Sequence, residues 1–108
     1  MLIKLHNLIA HIEGAYSPNT LRAYRVDMAE FIVYCKERNT CPWPADPEVV
    51  AAFLLHTSDN GIKASTIKRK MSSISAIHRL SYLEDPTKHP EVKLAMRKIN
   101  RLLGSRFQ

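Results

Sequence analysis

The sequence predicts an all-α fold, a compact bundle of four main helices preceded by a shorter N-terminal one. Three observations lead there. Apolar residues recur at steps of three and four in segment after segment, clusters of Pro and Gly separate those segments, and no stretch alternates apolar and polar residues at period two. At 108 residues the chain is one domain, 1–108, able to bury a modest core without disulfides or metal.

The first helix covers Leu2–Ile12, with Leu5, Leu8, Ile9 and Ile12 as its apolar stripe, and "EGAY" ends it. In "SPNTLRAYRVDMAEFIVYCKERN", Ser17 is a good N-cap and Pro18 suits the first helical position. Leu21, Tyr24, Met28, Phe31 and Cys35 give this second helix, at about 18–38, a buried stripe. Three prolines in "CPWPADP" then forbid a helix, and Trp43 between two of them reads as a plug for the edge of the core. Asp46 caps a third helix with Pro47 at its first position, Val49, Val50, Phe53 and Leu54 as its apolar face, and Gly61 as a left-handed stop. A fourth helix occupies about 65–82. "LEDPTKHP" breaks it, and either Thr87 or His89 caps a fifth helix whose stripe is Val92, Met96, Ile99 and Leu103 and which Gly104 ends.

Several function classes are excluded or disfavoured. No stretch has the length and apolarity of a membrane span, and His6, Asn7 and His11 interrupt the N-terminal apolar run in a way no signal peptide would. Two cysteines make no disulfide framework, which fits a reducing cytoplasm, the expected location; Cys35 sits on a buried stripe and Cys41 in the Pro-rich loop. The histidines are scattered, so no metal site and no cofactor is expected. Gly-rich phosphate loops, HExxH and GxSxG are all absent, and no catalytic residue emerges. Asp27 and Glu30 read as part of a solvated face, not as an acid/base pair.

Charge is the informative quantity. The net +6 divides unevenly: residues 1–60 hold five Lys/Arg against seven Asp/Glu (−2), and residues 61–108 hold eleven against three (+8). That polarity is the electrostatic footprint of a nucleic-acid binder. The fourth helix is its most unusual part. "KASTIKRKMSSISAIHR" puts Ile67, Met71, Ile74, Ile77 and His78 on a core face, and Ser65, Lys68, Arg69, Ser72, Ser75 and Arg79 on the opposite one, with Thr66 and Ser73 at its border and Lys70 off to the side. Lys and Arg near a helix N-terminus oppose the helix dipole, and a bound phosphate removes the conflict. Serines in place of Glu, Lys or Gln allow close approach to a phosphate backbone. The second helix adds Arg22 and Arg25 near its start, and the fifth adds Lys93, Arg97 and Arg101 along one side.

Four segments in order, "SPNTLRAYRVDMAEFIVYCKERN", "WPADPEVVAAFLLH", "GIKASTIKRKMSSISAIHRL" and "HPEVKLAMRKINRLLG", resemble the N-terminal core-binding (SAM-like) domain of tyrosine recombinases of the phage-integrase family, and within it the Cre recombinase type. The resemblance covers about residues 17–104. It implies a helical domain forming half of a clamp on double-stranded DNA, in DNA integration or recombination, with the second and fourth helices approaching the major groove. The DNA-binding residues it and the charge pattern point to are Thr20, Arg22, Ala23, Arg25, Ser65, Thr66, Lys68, Arg69, Ser73, Arg79, Arg97 and Arg101. Arg69 is expected to read a base, since Arg pairs bidentately with guanine, and Lys68, Lys70, Arg79, Arg97 and Arg101 to meet phosphates. The family's tyrosine chemistry belongs to a separate C-terminal domain, absent from this sequence, so the chain is expected to be non-catalytic, with 105–108 as the start of a linker. Protomer contacts on DNA are implied for the first and last helices. The sequence departs from the Cre pattern at Ala23, Ser65 and Arg69, which implies a different target site. A helical protein-interaction domain and a small helix-turn-helix regulator are the alternative readings.

Overall fold

The computed structural model describes residues 2–104. It holds five α-helices, α1 (Leu2–Ile12), α2 (Pro18–Glu37), α3 (Pro47–Asp59), α4 (Ala64–Leu80) and α5 (Pro90–Ile99), and no strand appears among the described residues. A 3-10 turn at Pro86–Lys88 precedes α5, and a π-helical turn at Asn100–Gly104 extends it. Residues 105–108, expected as the start of a linker, lie outside the described residues.

Local chemistry sets the boundaries. The Ser17 side chain accepts from the Thr20 amide, the Asp46 side chain from Glu48, and the His89 side chain from Glu91, each ahead of a proline at the first helical position. His89, not Thr87, therefore caps α5; Thr87 belongs to the 3-10 turn, where Asp85 accepts from both its amide and its hydroxyl. Gly61 takes the left-handed conformation (φ 80°) after α3. Tyr82 (φ 60°) does the same after α4, with the Leu83 amide returning to the His78 carbonyl at 2.9 Å. This cap stops α4 two residues before the expected end.

The helices pack as two main pairs, α2 on α4 and α3 on α5, with α1 lying on α2. Met28, Phe31, Cys35, Val50, Leu54, Ile67, Ile74, Ile77, Val92 and Ile99 form the centre of the core, each fully buried. Phe53 stacks edge-on against both Phe31 and Tyr34, with ring centroids 5.1 Å apart in each case. Burial pushes the Cys35 thiol up to about 11, as suits a small core hydrophobe.

Trp43 is a core plug held by polar contacts. It is buried, its indole N–H donates to Ser81 Oγ at 3.1 Å, and the Lys4 ammonium lies 4.7 Å over its ring. Beside it, His78 fastens α4 to the Pro-rich loop. The Ala45 amide donates to Nε2 at 2.9 Å, so Nδ1 carries the proton and donates to the Ile74 carbonyl at 2.8 Å. Burial lowers the His78 pKa and keeps the imidazole neutral.

Candidate nucleic-acid interface

The candidate surface is organised on α4. Its wheel has a buried arc formed by Ile67, Lys70, Ser73, Ile74, Ile77 and His78, and opposite it a strip of exposed Ser65, Lys68, Ser72 and Arg79, with Ala76 buried at its edge. Arg69 lies on one flank of the strip and reaches α2. Met71 lies on the other flank and helps line a groove of about 470 Å³ with Thr87, Lys88, Lys93, Met96, Arg97 and Asn100. The strip is thus bordered by α2 on one side and by the cations of α5 on the other.

Alone among α2 to α5, α4 begins without a side-chain cap. Lys63 occupies the cap position and makes no side-chain bond there, and no acidic residue stands in the first turn. Its first amides therefore retain their capacity for an acceptor from outside.

The seam between α2 and α4 is where sequence reasoning fell short. Asp27, expected on a solvated face, is fully buried. Its carboxylate receives the Arg69 guanidinium side-on, Nε–H to Oδ2 at 3.1 Å and an Nη2 hydrogen to Oδ1 at 2.8 Å. Ser73 donates its hydroxyl to the same Oδ2 at 2.7 Å, and the Lys70 ammonium lies 3.6 Å from Oδ1. Lys70 also donates to Glu30 Oε2 at 2.6 Å and keeps only 7 % of its side-chain surface exposed. Two expectations are corrected by this. Ser73, expected among the DNA-binding residues, is buried and points at a carboxylate, and Lys70, expected to meet a phosphate, is a buried partner of Asp27 and Glu30. Arg69 stays half exposed while anchored, and the bonds to Asp27 raise its pKa further. The reason is geometric: periodicity locates the border of a helix face, and the neighbouring helix decides whether that border is solvent or seam.

The remaining expected residues fall into three groups. Ser65, Lys68, Arg79, Arg97 and Arg101 are exposed, and Thr66 is partly so. Among the described residues Lys68, Arg97 and Arg101 form no ion pair, and Arg79 makes only a long one, 4.0 Å to Asp85. Asp85 is instead held by Ser75, which donates at 2.6 Å, and by Thr87; burial pushes its carboxyl up, but these bonds outweigh it and hold the group below its usual range. On α2, Thr20 and Ala23 lie on the Asp27 side and are half-buried, and the Thr20 hydroxyl accepts from Ser17 at 2.9 Å. Arg22 and Arg25 are exposed but sit about 140° and 160° round the helix from Asp27, away from the seam. The groove brings in Lys93, already on the basic side of the fifth helix in the sequence, and Lys88 of the 3-10 turn, which no helical pattern marked; only the fold places both beside α4.

A second depression, about 730 Å³, lies elsewhere, among Leu2, Ile3, Ile32, Val33 and the loop Asn39–Pro42. Its lining is mainly apolar, and Leu2, Ile3 and Val33 are exposed. No helix of the described residues is long and apolar enough to cross a membrane, and no group of His, Cys, Asp and Glu among them could hold a metal ion.

Comparison with known proteins agrees with this arrangement of helices. The profile of the family described as phage integrase, N-terminal SAM-like domain, matches residues 7–85. The chain is 31% identical over 97 residues to an integrase/recombinase xerD homolog of Selenomonas ruminantium, covering 87% of this chain and 28% of that protein. It is 30% identical over 87 residues to the recombinase cre of Escherichia phage P1, covering 81% of this chain and 25% of the recombinase. With the tyrosine recombinase XerD of Oceanobacillus iheyensis it shares 31% identity over 100 residues, 86% of this chain and 34% of the relative. The chain therefore spans about a quarter to a third of the length of these relatives. With more than half of its residues matched by the family profile, the chain belongs to the phage integrase N-terminal SAM-like domain family.

Proposed function

We propose that the chain binds double-stranded DNA sequence-specifically, as the N-terminal clamp module of a site-specific tyrosine recombinase, and leaves strand breakage and rejoining to a separate tyrosine-bearing domain. The observation that carries this reading is the exposed strip of α4, which joins an uncapped helix start to cations on both flanks. Lys68, Arg79, Arg97 and Arg101 meet phosphates, because each is exposed and none is closely neutralised by a carboxylate. Ser65 and Thr66, short hydroxyl side chains in the first turn of α4, let its free amides approach the backbone. Arg69 faces a base edge, with Thr20 and Ala23 on the adjoining shoulder of α2. Arg22 and Arg25, turned away from the seam, add long-range attraction. The apolar depression beside α1 is the place for a protomer on the same DNA. Action on chromosomal or phage DNA in the cytoplasm follows from the same reading.

Titration of a fluorescent random-sequence duplex with the chain tests it. Binding should weaken about a hundredfold between 50 and 200 mM salt, the behaviour of roughly four phosphate contacts. A chain whose duplex affinity ignores salt over that range does not work this way.

A further inference from the structure

Arg69 is an unusual DNA contact, because a carboxylate already holds it. A free Arg at a helix surface is a mobile charge. Here one edge of the guanidinium, Nε with one Nη2 hydrogen, is pinned to Asp27. The planar group offers five N–H donors in fixed directions. The other three, two on Nη1 and one on Nη2, have no partner among the described residues, and half of the side chain is in solvent. One hydrogen from each of those nitrogens forms the end-on fork, the geometry that matches the O6 and N7 acceptors of guanine.

The anchor is itself held. Asp27 has no exposed surface, and Ser73 and Lys70 fix its two oxygens from one turn of α4, while α2 carries its backbone. The Arg69 fork is therefore rigid with respect to both helices. The pairing also removes most of its net charge, so Arg69 contributes little to phosphate attraction and much to direction.

Building on the DNA-binding reading above, we propose that Asp27 is a specificity-positioning residue: it clamps the side-on edge of Arg69 so that the end-on fork is presented, at fixed orientation, to a guanine in the major groove. Asp27 touches no DNA and acts through Arg69. Ser73 supports it by fixing Oδ2.

The experiment selects preferred duplexes from a randomised library with the 108-residue chain and repeats the selection with Asp27→Asn, Ser73→Ala and Arg69→Ala, each checked for helical circular dichroism. Asn preserves the shape of Asp27 and one acceptor but releases the charge. The wild type should prefer guanine at one position, and Arg69→Ala should abolish that preference. Asp27→Asn should bind duplex at least as tightly, with a salt slope steeper by about 0.9 because a cation has been freed. Its guanine preference should fall by about fivefold or more. Ser73→Ala should lower the preference by less. Asp27→Asn with a lower melting temperature and an unchanged guanine preference overturns the proposal, leaving Asp27 a structural residue only. Should Asp27→Asn melt below the assay temperature, Ser73→Ala carries the test, and a wild-type preference there overturns it. A guanine preference that survives Arg69→Ala also overturns it. Failure of the wild type to bind any duplex overturns the DNA-binding reading itself.

Discussion

The first two turns of α4 and the outer side of α5 carry similar charges and use them in opposite ways. In α4, two of the three consecutive cations, Arg69 and Lys70, bond carboxylates of α2, and Lys70 is almost fully buried doing so. In α5, Lys93 and Arg97 are exposed and make no ion pair among the described residues. A cation count therefore overstates the electrostatic surface of α4 and states that of α5 correctly. The difference comes from the neighbours. α4 lies against α2, which presents Asp27 and Glu30 to it, whereas α5 turns its cationic side away from α3.

The contrast is broken or sharpened first by stability. Asp27→Ala leaves Lys70 buried with Glu30 alone and the Ser73 hydroxyl without its partner, which should cost about 3–5 kcal/mol. Arg97→Ala, on a solvated face, should stay within about 0.5 kcal/mol. Urea denaturation of the two variants is the measurement, and comparable losses would erase the distinction between seam and surface.

The next test is ionic. With Lys70 removed from the expected phosphate contacts, Lys68, Arg79, Arg97 and Arg101 remain, and log K should fall with log salt at a slope of roughly −3.6. Arg97→Ala should flatten that slope by about 0.9, and Lys70→Ala should leave it where it is among the molecules that remain folded. A flattening by Lys70→Ala equal to that by Arg97→Ala would return Lys70 to the DNA surface.

The smallest effect is the response to pH. His78 is held neutral, with Nε2 accepting from Ala45, and its pKa lies below the ordinary 6.5. The unfolded chain takes up the proton first, so this contribution is complete above about pH 6.5 and is lost as the pH falls below it. The slope is at most about 1.4 kcal/mol per pH unit. Asp85, held below its usual range, acts in a separate and more acidic window. Urea midpoints at pH 7.5 and 5.5 should differ in the wild type and differ less in His78→Gln. Equal differences would mean that His78 does not contribute to the pH dependence of stability.

Much of this molecule was legible in one dimension. Ser17, Asp46 and the prolines after them are local signals, because a cap is a bond between residues two or three apart. Cys35 and Trp43 announced their burial through stripe position and through a loop too rigid to be anything but packed. The cation excess of the last 48 residues is a property of composition, and the structure leaves most of it on the surface.

The partners of those cations were not legible. Asp27 and Arg69 are 42 residues apart, and Asp27 and Ser73 are 46 apart. A carboxylate on the edge of a helical stripe has the same sequence appearance whether it faces water or another helix. The sequence by itself determined where α2 and α3 begin, which side of each helix is apolar, and that the C-terminal half is basic, because these depend on neighbours within a few residues. The tertiary structure alone decided which cations stay free, which acid is buried, and how Arg69 is aimed. Those outcomes depend on how α2 lies against α4, and burial leaves a charge no alternative to an opposite charge within reach.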